Sequence, residues 1–348
     1  MANNERPGVY SSVEVSSVLS GGSKGRTVGI AAVSAAGVKG EKVYIGSYGE
    51  AVSKFGAECS MTRLIRLLLQ NGAAVIYAVA AAVGQAAVKA DYEAAIGTLM
   101  DEESVTLMLC DSRDAEVHSA LSAAISGAGE KSKYRIGIVE TAGTVSEAAA
   151  AAGALNCERM VMVYPGLNGE GALFGAVAAA FAGTLAAGGD PALPMGGAEL
   201  SGLDGFERVF SDADITALVR GGVTPVESVG GKVLVVRGIT TRTTTGGEAD
   251  ATWRELTTVL IVDDVVPSVR AALRAKFPRV KNNAQTRGAI RTQVLIELES
   301  KCRAEIIDSF GAVTAAASEA DPCVCEVSFE FTVTHGLNRI NLAAHISV

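Results

Sequence analysis

The sequence is poor in the residues that build metal sites, disulfides and aromatic ligand pockets. Aromatic residues make up 5% of the 348 positions, and there are three histidines and six cysteines. The histidines are scattered and no two cysteines have C-x-x-C spacing, so the sequence predicts no zinc site. Cys323 and Cys325 lie two residues apart on an apolar strand face. We expect both to be reduced core residues of a protein that folds inside the cell.

Basic residues are fewer than acidic ones, 30 against 38, which gives the chain a formal net charge of −8 at pH 7. That balance argues against a general nucleic-acid binder. The first residues, Met1 to Arg6, are polar, and we expect no signal peptide. The segment 171–189 carries no charge, but it is mostly alanine and glycine, and its larger apolar residues share one helical face. This pattern predicts a buried helix rather than a membrane span.

The sequence contains one candidate ligand-binding loop, at residues 166–171. Its glycines follow a predicted strand and open a predicted helix, which is the position of a dinucleotide-binding loop. Their order is G-x-x-G-x-G, the reverse of the usual spacing, and Glu170 would put negative charge near a phosphate. Neither 21–27 nor 230–233 fits a phosphate loop, and no serine lies in a G-x-S-x-G elbow. A plain turn is the favoured interpretation, and we expect neither an enzyme nor a cofactor.

From Thr27 to Gly189 the pattern alternates between short apolar runs and helical segments. The predicted strands are 28–33, 42–45, 73–79, 105–110, 135–139 and 159–164. The predicted helices are 61–69, 91–100, 114–125 and 144–154, followed by the alanine-rich segment. Thr144 is a good N-cap, with Glu147 three residues further on. Repeated β-α units predict an α/β layered domain with a mostly parallel sheet.

The rest of the chain predicts a smaller α+β unit. A short helix at 215–219, a strand at 232–236 and a polar loop at 240–250 come first. A strand is then predicted at 255–262, with Asp263 and Asp264 capping a helix that has Pro267 in its first turn. A longer helix is predicted from about 285 to 307. Residues 323–333 alternate strictly, as a half-buried strand does.

Both ends of the chain have the alternation of a half-buried strand but no hairpin partner within the same terminus. The residues expected to make interchain contacts are Val9, Tyr10, Val13 and Val15 at the N-terminus and Ile340, Leu342 and Ile346 at the C-terminus. The expected hinge of the N-terminal arm is formed by Gly21, Gly22 and Gly25. Arms of this kind are suited to adding strands to neighbouring copies, which predicts a polymer. The C-terminal strand could also pair with 323–333 in its own subunit and still offer an outer edge.

One segment, 265–296, contains only positive charges. Its seven basic residues are Arg270, Arg274, Lys276, Arg279, Lys281, Arg287 and Arg291, and it contains no acidic residue. The rest of the chain therefore carries −15. The segment is either a solvated helix face or a docking surface for an acidic partner. Nucleic acid is disfavoured because the surrounding charge is negative.

Several stretches together resemble the tail sheath proteins of contractile phages and phage-tail-like bacteriocins, most of all the short single-chain sheaths of Gram-positive phages. No single motif is diagnostic, but their order and spacing are specific, and 30–130 match only in pattern. The stretches are 6–10, 155–165, 203–205, 221–224, 237–243, 253–256, 261–264, 286–287 and 339–342.

The resemblance implies a structural subunit that polymerises as stacked rings around an inner tail tube and contracts to drive the tube through a target envelope. It implies strand arms at 1–25 and 339–348, an outer α/β domain at 26–195 and an inner α+β domain at 196–338. Arg270, Arg274, Lys276, Arg279 and Lys281 would face the tube. The implied partners are further copies, the tube protein, and baseplate and tail-terminator proteins, without nucleic acid or membrane insertion. Assembly would take place in the bacterial cytoplasm, giving a virion tail or a released particle.

Two other functions stay open at this point. One is a nucleotide-binding α/β enzyme, which predicts a small oligomer and a ligand-dependent melting shift. The other is a different self-assembling shell or tube protein, which also predicts a polymer.

Overall fold

A computed structural model describes residues 25–130, 133–168 and 171–337 of the chain. Most positions of the expected arms and hinge lie outside the described residues, and their roles stay predictions. These positions are Val9, Tyr10, Val13, Val15, Gly21, Gly22, Ile340, Leu342 and Ile346.

The described residues contain one large sheet with strand order β2-β3-β1-β4-β5-β6-β7-β8. The strands are β1 Thr27–Ser34, β2 Lys42–Ile45, β3 Ile76–Val83, β4 Val105–Cys110, β5 Ile136–Glu140, β6 Met160–Tyr164, β7 Val223–Val229 and β8 Lys232–Val235. Neighbours from β3 to β7 are parallel. The edge strands β2 and β8 run antiparallel to their neighbours. The predicted mostly parallel sheet is confirmed, as is the mixed α/β class.

Helices cover both faces of this sheet. They are α1 Tyr48–Phe55, α2 Ser60–Gln70, α3 Lys89–Met100, α4 Ala115–Glu130, α5 Val145–Leu155, α6 Ala176–Ala187 and α7 Asp212–Arg220. Successive strand residues face opposite cores: Ile30 belongs to the core that α1, α2 and α6 cover, whereas Ala31 belongs to the core that α3, α4, α5 and α7 cover. Both faces are covered, which is why these strands are continuous apolar runs.

The alanine-rich segment forms the buried helix α6, as predicted. Its small residues allow it to cross α2 closely: a Cβ on Gly183 would lie 2.7 Å from both the Leu68 carbonyl oxygen and the Asn71 Cβ. The capping box of α5 is also confirmed, with Thr144 and Glu147 bonding each other's backbone N–H groups. None of the helices in the described part of the chain is long and apolar enough to cross a membrane.

A third apolar core lies beside the sheet, in the last part of the chain. A small hairpin, β9 Thr244–Thr245 and β10 Glu248–Ala249, precedes two long helices, α8 Leu256–Lys276 and α9 Ala284–Arg303. An antiparallel pair, β11 Ile307–Ala317 and β12 Cys325–Val333, packs on these helices. On β12 the alternation is as predicted, because Val327, Phe329 and Phe331 contribute to this core.

The predicted strand at 255–262 is wrong, because these residues begin α8. Leu256, Val259 and Leu260 enter the core of the sheet, whereas Ile261 and Val265 enter the third core. A helix buried on two sides has an apolar run without a polar face, and such a run cannot be distinguished from a strand by periodicity.

The predicted helix start is wrong for the same reason. Asp263 and Asp264 do not cap a helix; they lie inside α8, and Pro267 follows in its interior. The missing proline N–H leaves the Asp263 carbonyl without its helical donor. Packing against both cores stabilises the continuous helix across Pro267.

Four smaller predictions need correction: the end of the long second helix, the strands around it, the polar loop and the burial of Cys323. Helix α9 ends at Arg303, and Ile307 belongs to β11, which the sequence did not predict. Strand β7 was also missed; it contains Pro225, and proline is typical of edge strands, whereas β7 lies between β6 and β8. Part of the polar loop 240–250 forms the β9–β10 hairpin. Cys323 is exposed and Cys325 half-buried, so the expectation of two core cysteines is wrong for Cys323.

Strands β7 and β8 lie beyond residue 195, yet they extend the large sheet. The sheet therefore draws strands from both sides of the expected boundary between 195 and 196. The division into an outer and an inner unit stays a prediction.

Candidate docking surface

The basic segment of the sequence forms the outer side of α8, α9 and the turn between them. The sequence left open whether its cations form a solvated face or a docking surface, and the resemblance implied that five of them face a tube. We call these five residues, Arg270, Arg274, Lys276, Arg279 and Lys281, the basic surface. Neither these five residues nor the adjacent Arg287 and Arg291 form an ion pair within the described residues. Like charges held together without counter-charges repel one another, so an acidic partner would gain electrostatic energy here.

The members of the basic surface differ in how free their side chains are. Arg274, Arg279 and Lys281 are exposed, with no side-chain hydrogen bond inside the described part of the chain. Lys276 is also exposed, and its Nζ donates to Gln293 Oε1 at 2.7 Å. Arg270 is half-buried, with its guanidinium carbon 5.9 Å from the centre of the Tyr134 ring. Four of the five predicted residues thus point to solvent, and Arg270 lies partly against the sheet.

The turn between α8 and α9 gives Arg279 an unusual backbone. Its φ is +64°, in the left-handed region that favours glycine. A side chain here costs on the order of 1–2 kcal/mol relative to a relaxed backbone. The position therefore holds an exposed positive charge despite a local backbone cost.

An ion pair fixes α8 to the large sheet. Two guanidinium nitrogens of Arg159, the residue just before β6, donate to the two Asp263 carboxylate oxygens, each at 2.8 Å. The Arg159 guanidinium also stacks on Tyr134, 4.7 Å from the ring centre. Burial raises the pKa of the Asp263 carboxyl, and the bonds from Arg159 oppose that rise. The helix that carries the basic surface is thereby held to the β5 and β6 strands.

A second ion pair joins α8 to α9. Lys301 of α9 pairs with Asp264, the residue that follows Asp263. The sequence placed Asp263 and Asp264 at a helix start and gave no role to Arg159 or Lys301. Nothing in the local pattern marks these pairs, because their members lie 104 and 37 residues apart in the chain.

The alternative nucleotide site meets an obstacle at the start of α6. The buried Glu140 carboxylate accepts the N–H of Val177 at 2.9 Å, so this helix N-terminus already binds an anionic group. Arg113 pairs with Glu140 at 2.8 Å and donates to the Asn168 side chain at 3.0 Å, so it ties the turn after β6 to the same carboxylate. A phosphate at this end would have to displace a buried and fully paired carboxylate.

Residues 85–241 match the central domain of phage tail sheath proteins, and residues 248–347 match their C-terminal domain. The chain belongs to the phage tail sheath protein family. It is a contractile tail sheath subunit, a structural component of a phage tail or tail-like particle, and not an enzyme.

Solved structures agree with this assignment at the level of the fold. The crystal structure of the sheath tail protein from Desulfitobacterium hafniense has a TM-score of 0.72 and 12% identity, covering 94% of this chain and 100% of that one. The contracted helical sheath of the anti-feeding prophage has a TM-score of 0.71 and 16% identity, covering 99% and 100%. The sheath tail protein of Listeria innocua has a TM-score of 0.68 and 12% identity, covering 90% and 96%. No curated protein matches the sequence significantly.

Proposed function

We propose that the basic surface faces an acidic tail tube, around which this subunit polymerises helically as stacked rings. The observation that carries the proposal is the group of exposed cations on α8 and α9 without carboxylate partners in the described residues. In this arrangement the unit formed by α8, α9 and the β11–β12 pair lies inside, and the large sheet lies outside. Contraction then drives the tube through a target envelope.

Ionic contacts to a tube suit a sheath that must hold and later release it. Exposed ion pairs contribute roughly 0–1 kcal/mol each and are screened by salt, with a Debye length of about 8 Å at physiological ionic strength. Many copies together hold the extended sheath in register, yet each contact breaks easily. Contraction releases the basic surface and buries more surface between outer units.

The β11–β12 pair supports the proposed role of the arms. Within the described residues it forms a sheet of only two strands, which is stabilised by its packing on α8 and α9. Its outer edges carry backbone groups that a further strand can pair with. Arms from neighbouring copies would complete this sheet, at about 0.5–1.5 kcal/mol net for each backbone hydrogen bond. The glycines at 21, 22 and 25 would let each domain rotate while its arm stays paired.

The ends of such a polymer require other proteins. One sheath fold similar to this chain, from the anti-feeding prophage, comes from a baseplate structure. We infer that the first ring contacts a baseplate and the last ring a tail terminator. Assembly takes place in the bacterial cytoplasm, before release of the particle.

A charge-reversal experiment tests the tube-facing role. The variant Arg274→Glu, Arg279→Glu, Lys281→Glu changes three exposed cations of the basic surface. The control variant Lys54→Glu, Arg63→Glu, Arg66→Glu makes the same charge change on α1 and α2, where all three side chains are exposed. Each is co-expressed with the tube protein and examined by electron microscopy. The first variant is expected to lose sheathed tubes and the control to retain them; equal sheathing by both would refute the tube-facing role.

Deletion of residues 1–20 tests the arms separately. The shortened chain is expected to keep its melting temperature but to form no long polymer, because every element of the described core begins after residue 25. Normal helical sheaths from this chain would exclude an essential N-terminal arm.

A further inference from the structure

Helix α2 carries two cations on its solvent side. Its buried residues pack against α1, α6 and the sheet, whereas Arg63 and Arg66, three residues apart, lie together on the exposed side. Neither guanidinium forms an ion pair within the described part of the chain. Half-buried Leu69 follows three residues after Arg66, so an apolar group borders the two cations. We call Arg63, Arg66 and Leu69 the arginine face.

A second surface, residues 207–212, has the opposite charge, and we call it the acidic segment. Glu207 and Asp212 are exposed, and neither carboxylate forms an ion pair among the described residues. Between them Val209 is 91% exposed, the highest fraction among the large apolar residues of that part of the chain. The one cation of the segment, Arg208, lies over two aromatic rings of its own chain.

The acidic segment is held in place at both ends. The Phe206 N–H donates to Ser228 Oγ of β7 at 2.7 Å. At the other end Ser211 caps α7: its Oγ accepts the Asp214 N–H at 3.2 Å, and the Asp214 carboxylate accepts the Ser211 N–H at 3.1 Å. A surface that is already ordered loses less conformational entropy when it binds, so the segment is suited to docking.

The arginine face and the acidic segment lie too far apart to pair within one chain. Helix α2 packs on β1 and β3, whereas Arg208 of the acidic segment contacts Tyr164 on β6. In the strand order β6 lies three strands from β1, which is roughly 14 Å at about 4.8 Å for each strand. An ion pair requires a nitrogen–oxygen distance of about 4 Å or less. Only a second copy can bring the two surfaces together, and a contact between two different surfaces repeats head to tail as an open helix.

We propose that in the contracted sheath the arginine face of one copy binds the acidic segment of a second copy. This inference rests on the proposed function, in which contraction buries more surface between outer units. The guanidinium groups of Arg63 and Arg66 pair with the carboxylates of Glu207 and Asp212, and the arginine stems and Leu69 cover Val209. In the extended sheath each surface presents its charged groups to water, so neither is driven to bind before contraction brings them together.

An exchange of charges tests this contact with the full-length chain co-expressed with the tube protein. One variant is Arg63→Glu, Arg66→Glu, a second is Glu207→Arg, Asp212→Arg, and a third combines all four substitutions. All three are expected to form extended sheaths, in agreement with the sheathing expected of the control for the basic surface. Sheaths are then contracted by stepwise warming, and electron micrographs are scored for ordered contracted cylinders and for dissociated subunits.

Each two-residue variant is expected to lower the ratio of ordered cylinders to dissociated subunits roughly tenfold, the effect of two exposed ion pairs. The four-residue variant is expected to restore the wild-type ratio, because every pair again joins opposite charges. Arg220→Glu, Lys232→Glu is the matched control, since it makes the same charge change at two exposed cations outside both surfaces. A four-residue variant no better than the worse two-residue variant would overturn the proposal.

Cross-linking tests the contact without reversing any charge, and it decides if the charge variants fail to fold. Arg63→Lys, Arg66→Lys keeps both cations and introduces two amines, which a carbodiimide couples to a carboxylate only in direct contact. Contracted sheaths of this variant are expected to give a dimer on a denaturing gel, linked from position 63 or 66 to Glu207 or Asp212 by mass spectrometry. The wild type, treated in the same way, is the control and should lack this link.

The cross-linking result separates this contact from the proposed function. Contracted sheaths without the link would overturn the contact and leave the proposed function standing. An equal yield of the link in extended sheaths would contradict its formation on contraction. If the wild type forms no contracting sheath with its tube, the proposed function itself fails, whatever the variants do.

Discussion

Arg159 and Asp263 form a two-bond ion pair across 104 residues of sequence, with both nitrogen–oxygen distances at 2.8 Å. Their side chains are only 12% and 17% exposed, so the pair is largely shielded from water. It joins β6 of the large sheet to α8, which has a face in both the sheet core and the third core. The pair therefore ties α8, and with it the third core, to the large sheet.

Removal of one partner of this pair is expected to be costly. Asp263→Asn should lower the free energy of unfolding by about 3–5 kcal/mol, because it leaves a shielded guanidinium without its counter-charge. Urea unfolding of the unassembled subunit, followed by circular dichroism, measures the change. The double variant Arg159→Met, Asp263→Leu removes both charges and should lose much less. A double variant as unstable as Asp263→Asn would contradict this account.

Substitution at Arg279 should separate stability from binding. Arg279→Gly relieves the positive φ and is expected to raise the free energy of unfolding by about 1 kcal/mol. Arg279→Ala is the matched control: it also removes the charge but keeps the backbone cost. Both should weaken tube binding equally in a co-sedimentation assay at low salt. A glycine variant less stable than the alanine variant would show that the turn is not strained at this residue.

Asp250 should give the segment before α8 a dependence on acid. Its carboxylate accepts the Thr245 hydroxyl at 2.6 Å and the Thr252 N–H at 2.8 Å, and these bonds lower its pKa from 3.8 to about 2. A lowered pKa means that the stabilisation is present above 3.8 and is lost as the pH falls towards 2. Wild type and Asp250→Asn should therefore differ in local hydrogen exchange at 244–252 at neutral pH and converge near pH 2. A difference that persists there would contradict the assignment.

The cysteines should differ sharply in reactivity. Cys323 is exposed, whereas Cys110 is 2% exposed and burial raises the pKa of its thiol to about 12. Maleimide labelling of the unassembled subunit, read by peptide mass spectrometry, should modify Cys323 within minutes and Cys110 only after unfolding. Cys323→Ser removes the fast site and serves as the control. Rapid labelling of Cys110 in the native subunit would contradict the packing of β4.

The sequence predicted strands well where periodicity and burial agree. In β4 the apolar run 105–110 lies in the middle of a covered sheet, and its bounds are as predicted. In β11 the strict alternation that would predict a strand is absent, because two register irregularities and Gly311 interrupt it. In β7 the residues Pro225, Glu227 and Ser228 hide a strand that is held by neighbours on both sides.

The excess of positive charge on 265–296 is visible from composition alone, because the segment has seven basic residues and no acidic residue. Its support was not predicted. Arg159 meets Asp263 and Lys301 meets Asp264 only after the chain has folded, and no local pattern links residues so far apart.

By itself the sequence determined the alternation of strands and helices, the burial of α6, the excess of positive charge on 265–296 and the order of stretches that resembles tail sheaths. Each of these depends on spacing or composition within a short segment, where side-chain periodicity follows backbone geometry. The tertiary structure alone decided that 255–262 is helical, that β7 and β8 extend the sheet, and that an acidic pair on α8 joins it to β6 and α9. These depend on burial from two sides and on contacts between distant segments, which local periodicity does not encode.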